Sequence, residues 1–411
     1  MKYILLFASF LFITSACSVS EQTESVIVLD LSQNIPEKEI ILEIESVNYI
    51  PLETTDKVLM GDLHRIKYIS ENKIIICNAL IGDIFVFNSE GRIISQFNYI
   101  REKDGTGYNR ITELVYDEAN KEIFVLDRST LCLAQVYSEE GEYKRTLHFP
   151  DRTTFSPVFD FDNETLLAYD ADYLIYKSNL TASITFGFSK IDSINSINNK
   201  QPYVFLSKKD GSIVSNLDIY LPERISTVHV NQAKKSFSTT PTQKIIKYGV
   251  DFLLTDIASD TVYLLSQDKI LTPVFVRKPS VQLMQPQTIL NMQLITDKFL
   301  YMKKHVFDTE NGFGGEFEEL VYDKQDNRMY RVKQFKVADP SGEIPFDWKV
   351  LGGFTAFNEG YFQKKNMIVR RLSADQLKED LETGRLKGRL KDIASKMDEE
   401  DNPVVEIIQL R

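Results

Sequence analysis

Four histidines, His64, His148, His229 and His305, are the residues a catalytic metal would call on first. None belongs to an H-E-x-x-H run or to another two-histidine metal spacing. A serine hydrolase would need a G-x-S-x-G turn to present its nucleophile, and the chain has none. Cys17, Cys77 and Cys132 form no C-x-x-C pair, so no metal spacing is written with sulfur either. "GTG" (105–107) and "GFGG" (312–315) are glycine-rich, but no helix pattern follows whose first turn could hold a phosphate, so both read as loops between strands. The acidic run "DTENGFGGEFEE" (308–319) does not follow the spacing of a calcium-binding loop. No cofactor is therefore assigned, calcium included. What remains is a set of polar residues that each follow an apolar strand-like run: Asn78, Asp127, Arg128, Asp170 and Asp256. They could surround one mouth of a channel and bind a ligand there. The alternative is that they are turn residues bonding their own backbone, as Asn and Asp do.

The elements that would position them are strands. Of 411 residues, 43% are hydrophobic and 11% aromatic, which suffices for a large core and argues against disorder. Twenty-six Phe and 19 Tyr accompany short runs of Val, Ile and Thr, side chains that pack well on a pleated surface. The formal net charge is −11. Duplex binding needs clustered Lys and Arg, so nucleic acid is excluded as an expected partner.

The first residues, "MKYILLFASFLFITSAC", give a Lys, an apolar stretch and small residues ahead of Cys17. That is the layout of an export signal, too short to span a bilayer. It resembles a bacterial lipoprotein signal, in which Cys17 becomes the acylated first residue after residues 1–16 are removed. Thr14 stands where such signals usually carry an aliphatic residue, while Ser15 and Ala16 fit. Residues 17–45 then read as a lipid-anchored tether and N-terminal segment. The expected partner on this side is a membrane, reached through the lipid. Cys77 and Cys132 read as buried free thiols, acting as small hydrophobes.

Two hairpins repeat. "DIFVFNSEGRIISQF" (83–97) is echoed by "AQVYSEEGEYKRTLHF" (134–149), and "KIIICNA" (73–79) lies over "EIFVLDR" (122–128), at an offset of 49 to 50 residues. The alignment puts Asn78 on Asp127 and Gly91 on Gly141. In "DIFVF", Ile84 and Val86 face one way and Phe85 and Phe87 the other, so the strand is covered on both faces. With no helical pattern between the strands, the cover must be further sheet. A period of about 40–50 residues with about four strands per unit is the mark of a β-propeller. Later units are looser: 164–186, 203–221, 251–276, and the pair 292–307 and 318–332, with 352–372 as a closing portion. The run "VNYIPLETT" (47–55) reads as a lone strand that seals the ring against the other terminus. After residue 372 the spacing of Leu377, Leu381, Leu386, Leu390, Ile393 and Met397 turns helical, with Ser373 as cap and Gly384 as a break. The terminal "NPVVEIIQLR" is a strand again. The expected architecture is all-β: a six-bladed β-propeller over 46–372, with a C-terminal helix and closing strand over 373–411.

These pieces together resemble the six-bladed β-propeller lipoproteins of Bacteroidetes, related in architecture to NHL-repeat proteins. The resemblance rests on "TSAC", "YIPLETT", "IFVFNSEGRIISQF", "EIFVLD" and "DNPVVEIIQLR" in that order. It departs at "DGTGYNRI", where Tyr108 stands in place of a Pro. It implies an outer-membrane lipoprotein of the cell envelope, and Glu21 and Glu24 resemble the acidic signal for surface display in such bacteria. It implies a binding or scaffold module for a protein or glycan. The alternative it implies is an NHL-like lyase or lactone hydrolase with a channel-bound metal, which two or more histidines converging with Asp or Glu at one mouth would support.

Overall fold

The computed structural model describes residues 26–102, 104–127, 133–150, 154–171, 200–231, 236–339 and 366–411. Cys17 with its leader, Arg128, Cys132 and the first part of the 352–372 run lie outside the described residues. The described chain opens with β1 (Ile27–Asp30) and β2 (Glu37–Pro51). The first sheet follows as β3 (His64–Ile69), β4 (Lys73–Asn78), β5 (Ile84–Asn88) and β6 (Ile93–Phe97), each antiparallel to the one before. The second repeats this with β7 (Ile111–Asp117), β8 (Glu122–Asp127), β9 (Leu133–Ser138) and β10 (Tyr143–His148). The twin hairpins are thus the third and fourth strands of successive sheets.

The third sheet is β11 (Phe155–Asp160), β12 (Thr165–Asp170), β13 (Tyr203–Ser207) and β14 (Ile213–Asn216). This corrects the sequence reading, which placed 164–186 and 203–221 in separate units. Tyr169 pairs with Tyr203, so both segments belong to one sheet. A strand–turn–strand rhythm looks the same whether two strands are joined by a tight turn or by some thirty residues, and the period hid the insertion. A hairpin, β15 (Val228–Asn231) and β16 (Ser236–Thr239), precedes the next sheet, β17 (Ile245–Tyr248), β18 (Asp251–Leu254), β19 (Thr261–Leu265) and β20 (Leu271–Lys278). Then come β21 (Thr288–Ile295), β22 (Phe299–Val306), β23 (Phe317–Asp323) and β24 (Arg328–Ala338). The chain ends with β25 (Met367–Leu372), helices α1 (Ala374–Glu382) and α2 (Gly388–Ala394), and β26 (Val404–Leu410).

The apolar faces explain the stacking. Ile75, Cys77, Ile84 and Val86 of the first sheet pack on Tyr116, Ile123, Val125 and Tyr137 of the second. The opposite face of the same strands, Ile74, Ile76, Phe85 and Phe87, packs on Val369 of β25 and Val405 of β26. In the same way Phe124 meets Leu166, Phe205 meets Phe252, Leu253 meets Leu290, and Tyr301 meets Ile408. The chain of interfaces returns to its start, which is a β-propeller. Burying one such aromatic or aliphatic side chain contributes roughly 1.5–3 kcal/mol, so each sheet is stable only between two neighbours. Cys77 is a free thiol in this packing, and burial pushes it up to about 11.

The two hairpin glycines serve the turn and the stacking together. Gly91 has φ +82°, and a Cβ there would stand 2.1 Å from the Pro51 carbonyl oxygen at the end of β2. Gly141 has φ +91°, and its Cβ would strike the Phe97 ring at the end of β6. Each turn thus lies against the last residue of the neighbouring sheet's outer strand, where only glycine fits. Tyr108, the residue in place of Pro, is buried and donates to the Gly82 carbonyl at 2.6 Å, tying two loops together.

The N-terminal strand closes the ring as expected, but it begins earlier than Val47. Ile44–Pro51 of β2 runs antiparallel to β26, while Glu37–Glu43 runs parallel to β24, and β1 runs parallel to β20. Much of the segment read as tether is therefore a belt along the outer edges of three strands. The alternation in "EKEIILEIE" suits it, with Ile40, Leu42 and Ile44 buried while Glu37, Glu39 and Glu43 keep to solvent. Leu377, Leu386, Leu390 and Met397 of the helical segment pack under Tyr49 and Val404. The helix breaks at Gly384, φ +71°.

Candidate functional site

Four strands that each begin a sheet, β3, β7, β11 and β17, stand innermost. The ends of these strands wall a cavity of about 440 Å³ at the hub, lined by Lys67, Tyr68, Glu113, Tyr116, Phe159 and Lys247 among others. Three of the four carry a β-bulge. Pairing with the next strand skips Lys67 between Ile66 and Tyr68, Thr112 between Ile111 and Glu113, and Ser156 and Pro157 between Phe155 and Val158. A bulge breaks strict alternation and re-aims side chains, here where sheets converge.

The polar groups divide into satisfied and unsatisfied ones. Glu118 accepts from the Tyr68 hydroxyl at 2.7 Å and from Ser70 Oγ at 3.2 Å. Asp160 pairs with Lys208 at 2.5 Å, and Lys208 reaches Asp117 at the same distance. Tyr116 and Lys73 both bind Glu139. Glu113 is 5% exposed and accepts from Ser156 Oγ. Burial pushes its carboxyl above the usual range, with Lys67 pulling the other way. Lys247 is half-buried, and burial pushes its ammonium below the usual lysine range against the pull of Asp160. It lies 4.5 Å from the Phe252 ring centroid. Among the described residues neither Lys67 nor Lys247 has an ion pair or a hydrogen bond from its ammonium. The site can therefore stack a ligand on aromatic rings, donate from two ammonium groups, and donate or accept at Glu113.

The residues expected from the sequence lie at the other face. Asn78, Asp127 and Asp170 end β4, β8 and β12, and Asp256 follows β18. In register, Asn78 pairs with His64, Asp127 with Ile111 and Asp170 with Phe155, so they sit beside the starts of the inner strands. At these positions the structure engages them within the chain. Asn78 Oδ1 accepts from the backbone N–H of Leu80 at 3.0 Å. Asp127 accepts from the backbone N–H of Asn109 at 2.9 Å. The Asp170 carbonyl accepts from Arg224 at 2.5 Å. Asp256 takes the Tyr169 hydroxyl, the Ala258 N–H at 2.8 Å and Lys244 at 3.7 Å. Lys244 holds its carboxyl below the usual range against the effect of burial, which acts most strongly and in the opposite direction. Arg128 lies outside the described residues.

The histidines do not converge. His64 Nδ1 meets the Gly61 backbone, His305 Nδ1 donates to the Phe313 carbonyl at 3.0 Å, and the His229 ring stands edge-on to Phe307. Among the described residues no three His, Cys, Asp or Glu side chains are placed to hold a metal ion. The hub residues left a signal that sequence reasoning passed over. Lys67, Glu113 and Lys247 are lone charges within the runs "IKYI", "ITELVY" and "IIKY".

Fold and hub define a β-propeller with a central ligand-sized cavity. The chain belongs to the family described as domain of unknown function DUF4934, whose pattern matches residues 26–409. A Bacteroides fragilis protein described as exported is similar in structure, at 14% identity over 94% of this chain and 100% of that one, with a TM-score of 0.58. A member of the DUF4221 family from Bacteroides vulgatus aligns at 9% identity over 90% of this chain and 97% of that one, with a TM-score of 0.43. No curated protein matches the sequence. Among the described residues no helix is long and apolar enough to cross a membrane.

Proposed function

We propose that the chain is a six-bladed propeller of the cell envelope, lipid-anchored through Cys17, that binds a protein or glycan partner at its hub. The observation that carries the binding role is the cavity itself. Its walls come from four sheets, it mixes Tyr68, Tyr116 and Phe159 with charged groups, and its volume of about 440 Å³ suits a small ligand or the end of a larger one. Support for the anchor is the "TSAC" ending of the apolar leader. Glycan-array binding followed by calorimetry tests the first part. Binding that falls in Tyr68→Ala supports the hub, and binding unchanged by it refutes the site. Cys17→Ser tests the second. The variant should leave the membrane fraction, and a wild type that never incorporates labelled fatty acid overturns the anchor.

A further inference from the structure

We infer that the hub ligand carries a carboxylate, held between Lys67 and Lys247. This rests on the hub being the binding site. The two lysines come from β3 and β17, and both line the cavity. Every other charged group on its wall has a partner inside the chain: Glu118 has Tyr68 and Ser70, Asp160 has Lys208, and Glu113 has Ser156. The two ammonium groups make no ion pair and no hydrogen bond among the described residues, although Asp160 lies near enough to act on Lys247 and Glu113 near enough to feel Lys67. A half-buried ammonium with no direct acceptor is under-satisfied, and a bound anion relieves it. An ammonium is a compact point charge that places no demand for a two-pronged partner.

The sign and size of the ligand's charge follow from the remaining wall. Asp160 and Glu118 on the same wall repel a doubly charged anion more than a singly charged carboxylate. Glu113 is buried beside Ser156 and adds a polar group to the wall. Tyr68 and Phe159 supply ring faces for the carbon skeleton. An acidic sugar and a compact organic acid share this chemistry.

Titration calorimetry on the whole protein separates the sources, with galacturonate, its neutral counterpart galactose, lactate and inorganic phosphate as probes. Galacturonate or lactate should bind, and Lys67→Met or Lys247→Met should each weaken binding by about tenfold or more, the usual effect of losing a hydrogen bond to a charged group. Circular dichroism checks that each variant folds. The Lys→Arg variants, which keep the charge, should retain most of the affinity. Galacturonate binding alone identifies an acidic sugar, and lactate binding alone identifies an organic acid. Phosphate binding alone, or no binding by any probe, overturns the inference. Galactose bound as tightly as galacturonate, and lost in Tyr68→Ala, also overturns it while leaving the hub as the site. Binding that no hub variant alters overturns the hub reading itself.

Discussion

Asn402 is the residue on which ring closure can be tested most sharply. It stands just before β26 and is 1% exposed. Its amide nitrogen donates to the carbonyls of Glu53 and Val58, both at 2.7 Å, and its Oδ1 accepts from the Met60 N–H at 2.8 Å. Its own backbone N–H donates to Thr54 Oγ1 at 2.9 Å. One side chain therefore holds the run between β2 and β3 against the strand that seals the propeller. Asn402→Ala removes three hydrogen bonds, but Glu53 is exposed, Met60 is half-buried, and the Val58 carbonyl keeps the Thr55 N–H at 3.4 Å. Each bond contributes about 0.5–1.5 kcal/mol net. The expected loss is about 2–4 kcal/mol, a large share of the roughly 5–15 kcal/mol typical of a folded domain. Urea unfolding followed by circular dichroism should show a lower midpoint with an unchanged slope. Asn402→Asp keeps the shape and the acceptor but turns a carboxylate toward two carbonyls, so it should be no better than alanine above pH 5 or so, where a carboxylate is ionised. A loss below about 1 kcal/mol in Asn402→Ala, the worth of one ordinary hydrogen bond, would show that the closure does not depend on this clasp.

Other expectations follow from single groups. Burial raises the Glu113 carboxyl above its ordinary value of 4.5. Ionising it in the folded state is therefore unfavourable, and stability falls as pH rises from the unfolded value through the raised folded one. Glu113→Gln should melt higher than wild type at neutral pH, with the gap closing below about pH 4, where both carry a neutral group. A constant gap across pH would refute that reading. Gly91→Ala should lower stability by at least about 1 kcal/mol, from the positive φ and the blocked approach to Pro51. Gly61→Ala, where a Cβ meets nothing within 4 Å and φ is not positive, serves as the control and should be near neutral by thermal unfolding.

Much of the ring was legible because strands covered on both faces write apolar residues at consecutive positions. "KIIIC" and "IFVF" could not have belonged to a sheet with a wet side, and their two faces do meet different neighbours. The closing strand was legible in "VNYIP" because a strand ahead of the repeats is what a ring pairs to the other terminus to remove its free edges. The belt was not, since "EKEIILEIE" alternates like any edge strand and its partner β24 lies almost 300 residues away. Nor was the union of β12 with β13, because an insertion leaves no trace in strand rhythm. The sequence reading looked for ligand residues at the opposite end of the strands from the hub cavity. Asn and Asp after a strand attract attention, yet most of their oxygens bind nearby backbone. Lys67 and Glu113 are aimed by bulges, which arise from pairing register and cannot be seen in one strand alone.

The hub as ligand site is tested most directly by lysine footprinting with an amine-acylating reagent, read by mass spectrometry, with and without the glycan selected from the array. Ligand binding at the hub should lower the reactivity of Lys67 and Lys247 together, while exposed lysines such as Lys396, far along the chain on the helical segment, do not change. Protection confined to the rim of Asn78, Asp127 and Asp170, or to the outer belt, with Lys67 and Lys247 labelled as before, would contradict it.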